Sequence, residues 1–193
     1  TDDVALDAGV GSATRNATAR RLAPNLSSVV GSKVFDITQS TCLAQGLNFQ
    51  PGVRTADNCQ NCGFTQVRSI GLDGHYSQIL VDSRPVFSSL TGVYGLEQIP
   101  ANMIDRVEVV RGGGSALFGA SAIGGTIYNV TREPIRNTAS YGLPILSQGG
   151  SSSFDNVTTG NVSLVTADHK AGISAFGQTR SRQGYAHDGA GYP

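Results

Sequence analysis

The sequence predicts an α+β chain of short helices, long loops and sheet strands that ends in antiparallel hairpin strands. Three observations predict it. Glycine supplies 25 of 193 residues, nearly twice its usual share of about 7%, which favours turns and close backbone approaches over long helices. Short strand-like runs stand at 64–70, 76–81 and 106–110, with turn residues between them. The last quarter alternates apolar and polar residues with a period of two.

Charge and length narrow the function. Fourteen basic residues balance fourteen acidic ones, and the pI is about 6.7, so the basic excess of a nucleic-acid binder is absent. A chain of this length can bury a real core. No run approaches the ~18 apolar residues of a spanning helix. Thr1-Asp2-Asp3 is acidic and lacks the apolar stretch of a signal peptide, so an exported protein would be present here in mature form.

Taken in order, residues 1–34 are polar, with β-prone patches at 4–6 and 29–30 around Arg15, Arg20 and Arg21. Asp36 is placed to cap a helix running through 41–43 to Gly46, where glycine suits a helix end. Pro51-Gly52 reads as a turn, and so does Asp82-Ser83-Arg84-Pro85. Pro100 opens a helical turn over 101–104, and Ser115 begins another after three glycines.

In the tail, Val162 and Leu164 alternate with Asn161 and Ser163. Ile173 and Ala175 alternate with Ser174, and Gln178, Arg180 and Arg182 share the phase of Ser174. Residues 149–156 form a long polar connection and Asp168-His169-Lys170 a tight turn. This is the alternation of a half-buried strand, shared by sandwich hairpins and by transmembrane barrels.

Few residues suggest catalysis. Arg111-Gly112-Gly113-Gly114-Ser115 joins a strand to a helix, as phosphate loops do, but it lacks the lysine and the spacing of either nucleotide motif. Cys59 and Cys62 stand two residues apart, yet Gly63 and a strand-like run follow where a redox pair would need a helix start. Cys42, Cys59, Cys62 and His75 could supply four zinc ligands, although at irregular spacing. An odd count of three cysteines allows one disulfide at most, and Cys59 with Cys62 is the candidate pair for pinning a loop in an oxidising compartment. His75, His169 and His187 lie in separate contexts and assemble no nucleophile–base set. The expectation is a protein that is not an enzyme, with no catalytic residue, resident metal or cofactor.

Arg68 and Arg111 interrupt or end apolar strands. A guanidinium so placed is expected to be partly buried, and because it cannot shed its charge it calls for carboxylate partners. Glu108 is one local candidate, but it stands two residues from Arg106 and equally suits that residue.

The central segment carries a resemblance. Gln78-Ile79-Leu80-Val81-Asp82-Ser83-Arg84-Pro85-Val86 is followed by Ile99-Pro100-Ala101-Asn102-Met103-Ile104-Asp105-Arg106-Val107-Glu108-Val109-Val110-Arg111-Gly112. Then comes Gly114-Ser115-Ala116-Leu117-Phe118-Gly119-Ala120-Ser121-Ala122-Ile123-Gly124-Gly125-Thr126-Ile127. Together with Pro51-Gly52-Val53 and Thr131-Arg132-Glu133-Pro134, these segments resemble the plug domain of TonB-dependent outer-membrane receptors.

The resemblance implies a plug with a small mixed sheet over residues 11–134, a TonB-box-like segment over 1–10, and the first strands of an outer-membrane barrel over 135–193. Asp3, Val4, Ala5, Leu6 and Asp7 fall where the family meets the TonB C-terminal domain by strand addition, with Asp7 replacing the usual small or β-branched residue. Arg68 and Arg111 fall where plug arginines face glutamates on the barrel wall, although Val67-Arg68-Ser69 departs from the family's Ile-Arg-Gly.

By position, the substrate-facing loops are 57–65, with Asn58, Gln60 and Asn61, and 87–98, with Ser88, Ser89 and Tyr94. Their amides, hydroxyls and aromatic ring suit a large polar nutrient such as a corrinoid, haem or siderophore. The loop Leu90-Thr91-Gly92-Val93-Tyr94-Gly95-Leu96 is similar to that of cobalamin receptors, and the Cys59–Cys62 segment resembles receptors of Bacteroidetes-type bacteria.

The expected function is therefore the gate of a nutrient importer in the bacterial outer membrane, with cobalamin the favoured nutrient and haem or a ferric siderophore next. The 59 residues after Pro134 suffice for about three strands, not a closed barrel. Two other readings compete: an exported β-rich binding or adhesion module, and a zinc or thiol-redox enzyme using Cys59 and Cys62.

Overall fold

The computed structural model describes residues 9–10, 18–19, 26–59, 64–72, 74–86, 96, 99–147 and 154–182. Contacts divide the chain into two compact units, the first extending to residue 132 apart from 59–63, the second formed by those five residues and by 133 onward.

In the first unit, β1 (Gly9–Val10) and β2 (Thr18–Ala19) make a short antiparallel pair. Strand β3 (Ser27–Gly31) leads into helix α1 (Ser32–Ile37), and α2 (Leu43–Leu47) follows. Strands β4 (Val53–Cys59) and β5 (Phe64–Ser69) form a two-stranded ribbon. Strands β6 (Ser77–Val81), β7 (Arg84–Pro85), β8 (Ile104–Arg111) and β9 (Gly125–Thr131) join β3 in a five-stranded sheet, ordered β3-β8-β9-β6-β7. The sheet is mixed: β6 and β9 run parallel and the other neighbours antiparallel. Helix α3 (Ser115–Phe118) lies in the connection from β8 to β9.

Strand alternation sorts the side chains onto two faces. Val30, Ile79, Val107, Val109 and Ile127 pack with Phe35 of α1, Leu43 and Leu47 of α2, and Val53 and Val67 of the ribbon into the main core. On the opposite face Leu80 meets Phe118 and Ala122, with Tyr128 against them.

The helix expected from Asp36 to Gly46 is two helices. Asp36 lies inside α1, Cys42 precedes α2, and Gly46 is interior to α2. The glycine is there for proximity: a Cβ at Gly46 would run into the Phe35 ring. Gly125 serves the same purpose at the start of β9, where a Cβ would come 2.7 Å from the Val110 carbonyl oxygen. The turn expected at 82–85 is tighter than the sequence suggests. Asp82 and Ser83 both have positive φ (46° and 68°), as a two-residue type I′ hairpin turn requires, which leaves Arg84 and Pro85 to form an edge strand.

The second unit is an antiparallel meander. Strands β10 (Thr138–Gly142) and β11 (Ile145–Ser147) pair with one side of β12 (Phe154–Val165), and β13 (Gly172–Arg182) pairs with the other. Val162, Leu164 and Ile173 share an exposed face, Leu164 standing directly opposite Ile173. The turn between β12 and β13 is held by Asp168, whose carboxylate accepts bonds from Thr166 Oγ1 (2.6 Å) and the Lys170 N–H (3.3 Å). The Thr166 bond, followed by the Lys170 bond, holds the Asp168 carboxyl below the usual aspartate value of 3.8.

Two outcomes are expected. Gly46→Ala should lower the urea midpoint of the plug in the intact receptor by the equivalent of about 1–3 kcal/mol, the usual cost of overpacking. Gly31→Ala, whose Cβ meets nothing within 4 Å, is the control. For Asp168 the folded carboxyl is the stronger acid, so its contribution to the turn is fully present above pH 3.8 and is lost as pH falls through the lowered folded value. NMR titration should show Thr166→Val raising the Asp168 midpoint toward that of free aspartate.

Candidate functional site

Strand β8 carries four charged side chains, Asp105, Arg106, Glu108 and Arg111, whose positions follow from its pairing. Its centre lies between β3 and β9, with Glu108 opposite Val29 on one side and Tyr128 on the other. The Glu108 side chain is completely buried, and Arg106 Nε donates to its Oε1 at 2.9 Å. Arg106, with its side chain one-third exposed, also reaches Asp105 Oδ2 at 3.3 Å. Of the two partners open to Glu108 in the sequence, the structure pairs it with Arg106.

Arg111 ends the strand and is in a different position. Its backbone N–H donates to the Leu26 carbonyl (3.1 Å), which fixes the backbone. Its side chain lies over Gly52, where a Cβ would come 3.4 Å from Nε. Nη2 makes one long bond, 3.4 Å, to Ser28 Oγ, and Nε is buried with no hydrogen-bond partner. Among the described residues no carboxylate forms an ion pair with Arg111.

The expectation of partial burial holds for Arg111 and fails for Arg68, which is exposed. The reason is strand alternation: Val67 and Ser69 turn into the core, so Arg68 between them points away. Among the described residues Arg68 likewise has no carboxylate partner.

A further polar junction has no single-motif signature. Asp82, at the tip of the β6–β7 hairpin, accepts from the backbone N–H of Thr131 (2.9 Å) and from its hydroxyl (2.6 Å). Beside it, Ser83 Oγ and the Tyr128 hydroxyl are 2.8 Å apart. These bonds tie the hairpin to the last residues of β9 before the chain leaves the first unit. The sequence marked Asp82 and Ser83 only as turn residues, because a link across 49 positions has no local signal.

Several expected site residues fall outside the described residues: Asp3, Val4, Ala5, Leu6, Asp7, Gln60, Asn61, Cys62, Ser88, Ser89 and Tyr94. Asn58 and Cys59 close strand β4, but their side chains, like that of His75, are outside the described set. Cys42 is buried in the main core. Among the described residues no group of three or more His, Cys, Asp or Glu side chains is placed to hold a metal ion.

The same architecture recurs in solved structures. The chain matches the ferripyoverdine receptor of the outer membrane of Pseudomonas aeruginosa at 20% identity and a TM-score of 0.70, over 93% of this chain and 23% of that one. It matches the alcaligin outer-membrane receptor of Bordetella pertussis at 19% identity and 0.70, over 93% and 31%. A siderophore receptor of Acinetobacter baumannii follows at 20% and 0.66, over 84% and 26%. The chain thus spans between about a quarter and a third of the length of these proteins.

The fold is that of the domain that stands inside an outer-membrane receptor. Residues 19–126 match the family model of the TonB-dependent receptor plug domain, and the chain belongs to that family. Its location is accordingly the bacterial outer membrane.

The buried ion pair gives a direct test of how the sheet is held. Glu108→Gln should destabilise the plug by about 2–3 kcal/mol, since it removes the buried partner of a guanidinium one-third exposed and leaves it only the more exposed Asp105. Asp105→Asn, at a more exposed pair, should cost about 0.5 kcal/mol or less. Urea denaturation of the receptor, followed by a fluorophore on the plug, measures both.

Proposed function

We propose that this chain is the gate region of a TonB-dependent importer, taking a metal-chelate nutrient into the periplasm. The observation that carries the reading is the family match over residues 19–126. In this reading residues 1–10 form the segment that TonB engages, with Asp3 to Asp7 adding as a strand to the TonB C-terminal domain. Residues 11–134 are the plug, and 135–193 open the barrel, their alternating strands turning an apolar face to lipid. At 12 and 11 residues, β12 and β13 have the length a tilted strand needs to cross a bilayer.

Arg111 supports a plug held by partners outside itself. Its buried Nε lacks an acceptor, and a charge in that position is stabilised by carboxylates of the barrel wall. Arg68 offers a second cation. Nutrient would meet the plug at Asn58, Gln60 and Asn61 and at Ser88, Ser89 and Tyr94, where amides and hydroxyls suit a polar chelate. The solved relatives named for siderophores favour a ferric siderophore, and the loop at 90–96 keeps cobalamin and haem beside it.

The intact receptor supplies the test. Deleting residues 1–10 should abolish uptake and pull-down by the TonB C-terminal domain while leaving nutrient binding at the surface unchanged. Binding is screened with cobalamin, haem and a panel of ferric siderophores. Arg111→Ala should loosen the plug. Uptake that persists without residues 1–10, or a receptor that binds none of these chelates, overturns the reading.

A further inference from the structure

The ribbon of β4 and β5 holds a third arginine that neither the family motif nor the sequence singles out. A connection as short as 60–63 can join only antiparallel neighbours. The Ile70 N–H donates to the Gly52 carbonyl at 2.9 Å, and counting up the ladder from that pair sets Val53 opposite Ser69 and Arg54 opposite Arg68. Burial agrees: Val53 and Ser69 both face the core, and Arg54 and Arg68 are both exposed. Hydrogen bonding agrees too, because the Thr55 N–H turns away from β5 and donates to Asn48 Oδ1 (3.1 Å).

Two guanidinium groups directly opposite each other repel, and neither can deprotonate to relieve the strain. Arg111 lies over Gly52, the turn residue that precedes β4 and stands two positions before Arg54. Three cations therefore gather at one end of the ribbon in a chain of zero net charge. Among the described residues no carboxylate forms an ion pair with any of them. Solvation alone suffices for one exposed arginine. An opposed pair beside a third guanidinium with a buried, unpartnered Nε is the arrangement of a polyanion receptor.

We propose that Arg54 is a third locking cation of the plug, and that Arg54, Arg68 and Arg111 together receive carboxylates from the part of the receptor beyond residue 193. The proposal rests on the gate reading above and adds a residue to it. It also fixes a sign. If an anion covers the cluster, removing Arg54 loses attraction and loosens the ribbon; if none does, removing Arg54 relieves repulsion and tightens it.

Amide hydrogen exchange of β4 and β5 in the full-length receptor reads that sign. Arg54→Ala and Arg54→Gln should each speed exchange about tenfold at low salt, with Arg54→Lys in between. The difference should shrink in 1 M salt, where screening acts within about 3 Å. The double variant Arg54→Ala/Arg68→Ala should exchange less than the product of the two single effects predicts. Unchanged or slower exchange in Arg54→Ala, with Arg111→Ala faster than wild type, overturns the proposal and leaves the gate reading intact. Wild-type exchange in Arg68→Ala and Arg111→Ala as well removes the locking role itself, and this proposal with it.

Discussion

A guanidinium group keeps its proton at any physiological pH, and strand β8 carries two of them with opposite fates. Arg106 is answered within the strand, two residues on, by a carboxylate with no exposure to solvent. Arg111 is not answered within the described residues, although its Nε is buried. The first arrangement closes a domain on itself; the second leaves it chemically open at one end. The rest of the first unit serves to hold β8 still enough for that difference to matter. It pairs on both sides, with β3 and β9, and its inward residues Val107 and Val109 belong to the main core. The backbone at the end of so constrained a strand is fixed, which confines where the Arg111 guanidinium can reach.

The two units bury different things. The first sorts its side chains between two apolar layers, with α1, α2 and the ribbon on one face of the sheet and α3 on the other. The second leaves its most apolar row, Val162, Leu164 and Ile173, exposed. In water such a row is a liability for an open sheet. On the reading proposed above it is the surface a bilayer requires, and the polar row between would turn inward. The two units thus answer the hydrophobic effect differently, the first with a packed interior and the second with an exposed apolar row, which the gate reading proposed above turns to lipid.

Much of this was readable in the sequence because it is local. The runs at 64–70, 76–81 and 106–110 announced themselves by composition and fall within two residues of β5, β6 and β8, and the hairpin of β12 and β13 did so by its period of two. What escaped is what depends on distant partners. Gly46 looked like a helix end because glycine commonly is one, whereas its task is to admit the Phe35 ring. Strand β9 hid behind Gly124 and Gly125, residues that argue against a strand unless another backbone must come close, as the Val110 carbonyl does. Arg68 and Arg111 looked alike in sequence and differ in burial, because Arg68 alternates outward between the buried Val67 and Ser69 whereas Arg111 ends a strand against Gly52. Glu108 could be assigned to Arg106 only once the side chains shared a face. The family resemblance reached further than these local signals because it carries the order of several segments at once, and order is what sets topology.

Sheet order adds a mechanical consequence. The chain enters the five-stranded sheet through β3, an edge strand, and leaves it through β9, the central one. A load applied ahead of Ser27 therefore falls first on a single ladder, the five residue pairs between β3 and β8. The exit is held by ladders on both sides and by the two bonds from Asp82 to Thr131. Ladders on two sides must fail together for a central strand to leave, whereas an edge strand needs only one to fail. The same topology that closes the core thus places the weakest seam nearest the N-terminal segment and the strongest nearest the connection onward.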